Sequence, residues 1–253
     1  MILMRILPGV LKELLKHVPT VMFEAVDWSV LAHELPKLSR RIIKKEGYSE
    51  LLVLQNSYLR PFSIQLVEDA LKSVNLKHNA QAAEKILALY FAQLFSPHGL
   101  FLDLRSEGYQ IDGEILKWHP SGIWTQFKPE FSLGLSEIYD GFYLEDQRLF
   151  EAGLMKIGLT SPHWPESDRK KLSELFKAHF GSSLGSMVFD LETFKKSLLR
   201  VADFMLEKKV KISTDFLYLG IALVTLYSSL EISEEPLNVK GIYLSVRTKL
   251  QTK

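Results

Sequence analysis

The sequence predicts a mainly α-helical chain with a small β component (α+β), folded as a single domain over residues 1–253. Three observations carry that expectation. Beyond residue 127, apolar side chains recur almost throughout at the three-to-four-residue spacing of an amphipathic helix. The longest uncharged run, Phe216 to Leu230, falls short of the ~18–20 residues that span a bilayer and predicts a helix buried on all sides. Strand signals are few, and the strongest centres on the dipeptide Asp112-Gly113.

Composition narrows the function classes. With 47% hydrophobic and 24% charged residues, the chain has enough apolar surface to fold rather than stay disordered. Its 31 basic and 30 acidic residues leave a net charge of +1, and no basic block is interleaved with aromatics, so nucleic-acid binding is disfavoured. The absence of cysteine removes disulfides, thiolate catalysis and Cys-ligated zinc, and fits a cytoplasmic setting. The first residues are apolar, but Pro8 and Gly9 interrupt the run and no small-residue cleavage site follows, unlike a signal peptide.

From the N-terminus, Pro8 suits a first helical turn, and Val10, Leu11, Leu14, Leu15 and Val18 then share one face. That face fits packing on the core; a helix lying on a membrane surface is the alternative. Asp27 is placed to cap a second helix running towards Gly47, with a kink at Pro36. Residues 50–59 read as a strand and 61–73 as a helix. A helix over 79–95 carries Ala83, Ile86, Leu87, Tyr90, Phe91, Leu94 and Phe95 on one stripe, and Pro97 and Gly99 end it. Residues 100–104 are strand-like. Asp112-Gly113 then predicts a type I′ hairpin between Tyr109-Gln110-Ile111 and Glu114-Ile115-Leu116. Further helices are expected over 129–143, 145–157, 167–180, 190–208, 214–230 and 238–250, with Pro129, Gly158, Ser167, Gly181, Asp190 and Asn238 at their starts and stops.

The segment from Leu87 to Phe131 carries a likeness to a known family. Gly99-Leu100-Phe101-Leu102-Asp103-Leu104-Arg105-Ser106-Glu107-Gly108-Tyr109, then Asp112-Gly113, His119-Pro120-Ser121 and Pro129-Glu130-Phe131, resembles the catalytic segment of the ABC1/AarF/UbiB family of atypical kinase-like proteins. That segment reads G-F-F-H-A-D-P-H-P-G-N, a hairpin with D-G, a D-F-G turn and a Pro-Glu-Phe-like helix start. The resemblance runs from about Glu50 to the end. It implies a kinase-like C-lobe, a helical bundle with a small hairpin, preceded by N-terminal helices over 1–49 and a vestigial strand region. The family is associated with isoprenoid-quinone lipid metabolism at membranes.

The departures define the expectation about activity. Phosphoryl transfer needs a positioned acid, and an Asn and an Asp as oxygen ligands for metal. The resemblance puts those three roles on Leu104, Tyr109 and His119, none of which supplies a carboxylate or amide oxygen. A one-residue slip brings Asp103 to the acid position, yet the Asn position then falls on Gly108. No Gly-rich phosphate loop or Lys-x-Gly-Gln motif precedes the segment. The expectation is a non-catalytic, pseudokinase-like binding or regulatory protein with no cofactor and no metal, acting on a protein partner or at the membrane surface. Two alternatives stand beside it. One is an enzyme whose acid–base chemistry has moved to Asp103, Arg105, Glu107 and His119. The other is an unrelated all-helical ligand-binding protein, which a fold without the hairpin would favour. Trp118, Trp124, Phe127 and Phe131 are candidates to line an apolar pocket beside the degenerate loop; core packing is the plainer role for each.

Overall fold

The computed structural model describes residues 9–16, 20–69, 72–181 and 185–251; 62% of the structure is helix and 9% strand, against roughly a third helix in an ordinary domain. The mainly helical expectation holds. Four helices lead the chain: α1 (Gly9–Lys16), α2 (Thr20–Ala25), α3 (Trp28–Lys44) and α4 (Tyr48–Leu59). A 3₁₀ turn (Arg60–Phe62) and β1 (Ile64–Leu66) lead to α5 (Ala80–Leu94). Four short strands follow: β2 (Leu100–Phe101), β3 (Tyr109–Asp112), β4 (Ile115–Trp118) and β5 (Trp124–Thr125). The remainder is α6 (Pro129–Tyr143), α7 (Gln147–Lys156), α8 (Glu166–Phe180), β6 (Ser186–Met187), α9 (Leu191–Glu207), α10 (Thr214–Glu231), β7 (Leu237–Asn238) and α11 (Val239–Gln251).

Local chemistry accounts for most of the helix starts. The first-turn N–H groups of a helix lack intrahelical partners, and short polar side chains supply them. Asp27 Oδ1 accepts from the Ser29 N–H at 3.0 Å, Asn79 from Ala82 at 3.0 Å, Asp190 from Thr193 at 2.6 Å and Ser213 from Phe216 at 3.2 Å. Asp146 accepts from both Arg148 and Leu149, and Asn238 from Gly241. Pro129 opens α6, where its missing N–H costs nothing.

Three expectations are corrected. Residues 50–59 form a helix, not a strand. The buried positions of α4 include Leu51, Leu52, Gln55 and Leu59, which is helical spacing, while Val53 and Leu54 are 70% and 40% exposed and made the run look continuously apolar. No α-helix forms among the described residues of 61–73: Arg60–Phe62 is a 3₁₀ turn, Ser63 then adopts φ +56°, and β1 follows. Asn56 on α4 then pins β1, accepting from the Leu66 N–H at 2.6 Å and donating to its carbonyl at 3.0 Å. The hairpin exists, but Asp112 pairs with Ile115, so Gly113 and Glu114 form the turn. Gly113 has φ +56° and Glu114 is not in the positive region, the pattern of a II′ rather than a I′ turn.

β4 is the middle strand of a three-stranded sheet, antiparallel to β3 and parallel to β1, while β2 pairs with β5 and β6 with β7. The uncharged helix α10 is buried along nearly its whole length and contacts α1, α5 and α9. Pro8 and Val18, and the side chains of Val10, Leu11, Leu14 and Leu15, lie outside the described residues, but the backbone of α1 lies against α10. No described helix is long and apolar enough to cross a membrane.

Candidate functional site

The residues singled out in the sequence sit on the loop between β2 and β3 and on the end of β4. The loop runs over α10, and two hydroxyls on that helix hold it. Thr225 Oγ1 accepts from the Leu104 N–H at 3.1 Å and lies 2.9 Å from the Leu102 and Ala222 carbonyls, to which its proton is donated. Ser229 Oγ donates to the Leu104 carbonyl at 2.7 Å, and Tyr109 Oη donates to the same oxygen at 3.2 Å. The backbone of residue 104 is therefore fully satisfied by protein. Its side chain, like that of Tyr109, is 0% exposed. Burial pushes the Tyr109 phenol well above its ordinary value, so it stays a neutral donor.

Asp103 is 7% exposed and is held by one partner, Arg105. The guanidinium meets it through two parallel bonds, Nε to Oδ1 at 2.7 Å and Nη2 to Oδ2 at 2.8 Å, and the Arg105 N–H adds a third at 3.3 Å. Such a fork fixes geometry as well as charge. Hydrogen bonding to Asp103 holds Arg105 above its ordinary value against the cost of desolvation, with smaller help from the nearby charges of Glu107 and Glu13. Glu107 itself is exposed. His119 has a different environment: its Nδ1 lies 3.2 Å from the Val67 carbonyl, and its N–H donates to the Gly108 carbonyl at 2.9 Å. Gly108, at φ +140°, is required there, because a Cβ would sit 2.8 Å from the His119 carbonyl oxygen. Of the four residues of the relocated acid–base reading, Asp103 and Arg105 meet; the hydrogen bonds of His119 go elsewhere.

The aromatic quartet is also divided. Trp118 is fully buried, stacked on Tyr109 with centroids 5.7 Å apart and edge-on to Phe101 at 5.4 Å. Trp124 lines a cavity of about 350 Å³ against α3 and the start of α10. Phe127 lines another, of about 420 Å³, against the end of α5 and α6, and packs on Phe131 at 5.1 Å. The single pocket lined by all four is corrected to a core tryptophan and two separate cavities.

Sequence reasoning missed Thr225 and Ser229. The signal was available: two hydroxyl residues four apart on an otherwise apolar helix share a face and need partners when buried. It also missed Gln93, buried on α5, whose Oε1 accepts from the Phe101 N–H at 3.0 Å.

These arrangements fit a metal-bound triphosphate poorly. At the positions matched to the acid and the two metal ligands stand a buried leucine, a buried phenol and a histidine bonded to a backbone carbonyl. The nearest carboxylate, Asp103, already has both oxygens occupied. Set against models of known protein families and against curated proteins, the chain matches none. What fold and site define is a mainly helical protein with small sheets and a polar loop sealed against its central helix.

Proposed function

We propose that this protein is a non-catalytic relative of the ABC1/AarF/UbiB proteins, a pseudokinase that acts by binding rather than by phosphoryl transfer. The observation that carries the reading is the sealed loop: Leu104 is buried with its backbone held by Thr225, Ser229 and Tyr109, and Asp103 is neutralised by Arg105. A helix, a hairpin and a Pro-started helix follow one another in the order the resemblance expects, while the groups that would handle phosphate charge are replaced. The partner is an active relative or a lipid surface in isoprenoid-quinone metabolism, and vesicle flotation separates the two.

Thermal unfolding with Mg²⁺ and ATP tests the central claim. A native-state site filled at a hundredfold excess over its Kd adds about 2.7 kcal/mol of stability. The expected result is no stabilisation that depends on nucleotide and Mg²⁺ together. A melting point raised by the pair, and by neither alone, overturns the proposal.

A further inference from the structure

Asp215, in the first turn of α10, lines the cavity of about 350 Å³ between that turn, α3 and the chain before α6, the volume of a small-molecule site. Val30 and Leu38 on α3, with Trp124 and Tyr218, give the cavity an apolar and aromatic wall. Asp215 is 8% exposed. The neighbouring Thr214 hydroxyl is sealed off without a partner; the Asp215 carboxylate is not sealed. A carboxylate buried to this extent is ordinarily paired with a cation. Here its hydrogen bond comes from the Lys128 N–H, and among the described residues no side chain bonds it. Burial raises its pKa above the ordinary value, as expected of a charge short of partners. Nor does the helix need it as a cap, since Ser213 already serves the Phe216 N–H.

The other charges on the wall leave that carboxylate unanswered. Glu34 and Lys37, both on α3, pair with each other at 3.0 Å. The Lys128 ammonium is near enough to lower the Asp215 pKa, but it is exposed, so water and salt screen it. What remains is one buried carboxylate without a counter-charge beside aromatic faces, the two features that receive an organic ammonium.

We infer that this cavity binds a small organic amine with an apolar body, its ammonium bonded to Asp215 and its body against Trp124 and Leu38. The inference stands apart from the non-catalytic reading, because it uses none of the residues of the sealed loop.

The test uses phenethylamine and 2-phenylethanol, which has the same shape with a neutral hydroxyl in place of the ammonium. In ¹H–¹⁵N spectra of the full chain, phenethylamine is expected to titrate the Trp124 indole and the Leu38, Thr214 and Asp215 backbone signals. 2-Phenylethanol should bind about ten- to a hundredfold more weakly, the worth of a hydrogen bond to a charged group. Asp215→Asn keeps the shape and removes the charge, and at neutral pH it should melt no lower than wild type. It should bind the two probes equally. The comparison of probes on the wild-type chain stands without the variant. Equal affinity of the wild type for the two probes, shifts confined to other residues, or no saturable binding of phenethylamine at millimolar concentration overturns the inference. So does an Asp215→Asn chain that still prefers the amine. Each would mean that water alone meets the Asp215 carboxylate in the cavity. Binding of Mg-ATP would overturn the non-catalytic reading and leave this one standing.

Discussion

Thr225 shows how much one side chain can organise. Its hydroxyl joins α10 to both sides of the loop at Leu102 and Leu104, so Thr225→Val keeps the shape and strips the bonds. The buried Leu104 N–H is then orphaned, at a cost of about 1–3 kcal/mol in urea unfolding. Ser229→Ala should cost less, about 0.5–1.5 kcal/mol, because Tyr109 still serves the Leu104 carbonyl. If Thr225→Val unfolds at the wild-type midpoint, the loop is not held as described. Asp215, in the first turn of α10, offers a test by pH. Burial raises its pKa above the ordinary 3.8, although the Lys128 backbone N–H and the Lys128 charge lower it; Glu34 raises it further. Between the unfolded and folded values the native state holds a proton that the unfolded state has lost. Stability from this group therefore falls as pH rises through that window. Asp215→Asn, which keeps an acceptor for Lys128, should match wild type below pH 3.8 and melt progressively higher above it. A melting difference that does not change with pH would sink the assignment.

Between elements, the closest approach is that of α6 and α7. They form an antiparallel pair turned through Leu144, Glu145 and Asp146, with Glu145 at φ +61° and Asp146 capping α7. Gly153 on α7 lies so near α6 that a Cβ would sit 2.6 Å from the Gly134 carbonyl oxygen and 2.7 Å from the Ile138 nitrogen. Backbone cannot step aside as a side chain can. Gly153→Ala gains about 1 kcal/mol of helix propensity, yet the helices must separate. A net loss of about 1–3 kcal/mol is expected in thermal or urea unfolding, and a stabilised variant would contradict the packing. This scale also divides what could be read in advance. Helices with a polar cap and an apolar stripe, such as α5 and α9, were legible because the signal is local. Helix α4 was not: its exposed Val53 and Leu54 gave the run ELLVLQNSYL a strand-like look, and the side that packs inward is chosen by α5 and β1.

Across the whole molecule one apolar core runs from Met22 to Val246. The N-terminal helices belong to it: Met22, Ala25, Val26, Leu31, Leu35 and Leu38 are buried, and Val26 bridges Ile212 beside α10. Removing residues 1–47 should therefore expose α9 and α10 and abolish a single cooperative melting transition. A fragment 48–253 that melts sharply at the wild-type temperature would show instead that the first helices are an appendage. The candidate site was half legible at this scale. That Leu104 cannot take a proton is read from its side chain, but that Asp103 is locked by Arg105 while His119 turns to Val67 depends on where the hairpin puts them.

The sequence by itself determined the helical class, the caps at Asp27, Asp190 and Asn238, the hairpin's place and the absence of a carboxylate or amide side chain at Leu104, Tyr109 and His119. Those are properties of side-chain chemistry and of periodicity within a few residues. Only the tertiary structure decided that Thr225 and Ser229 seal the loop, and that Trp118 lies in the core while Trp124 and Phe127 line different cavities. Partners brought together by the fold come from more than a hundred residues apart, as Leu104 and Ser229 do, and no local pattern encodes such a meeting.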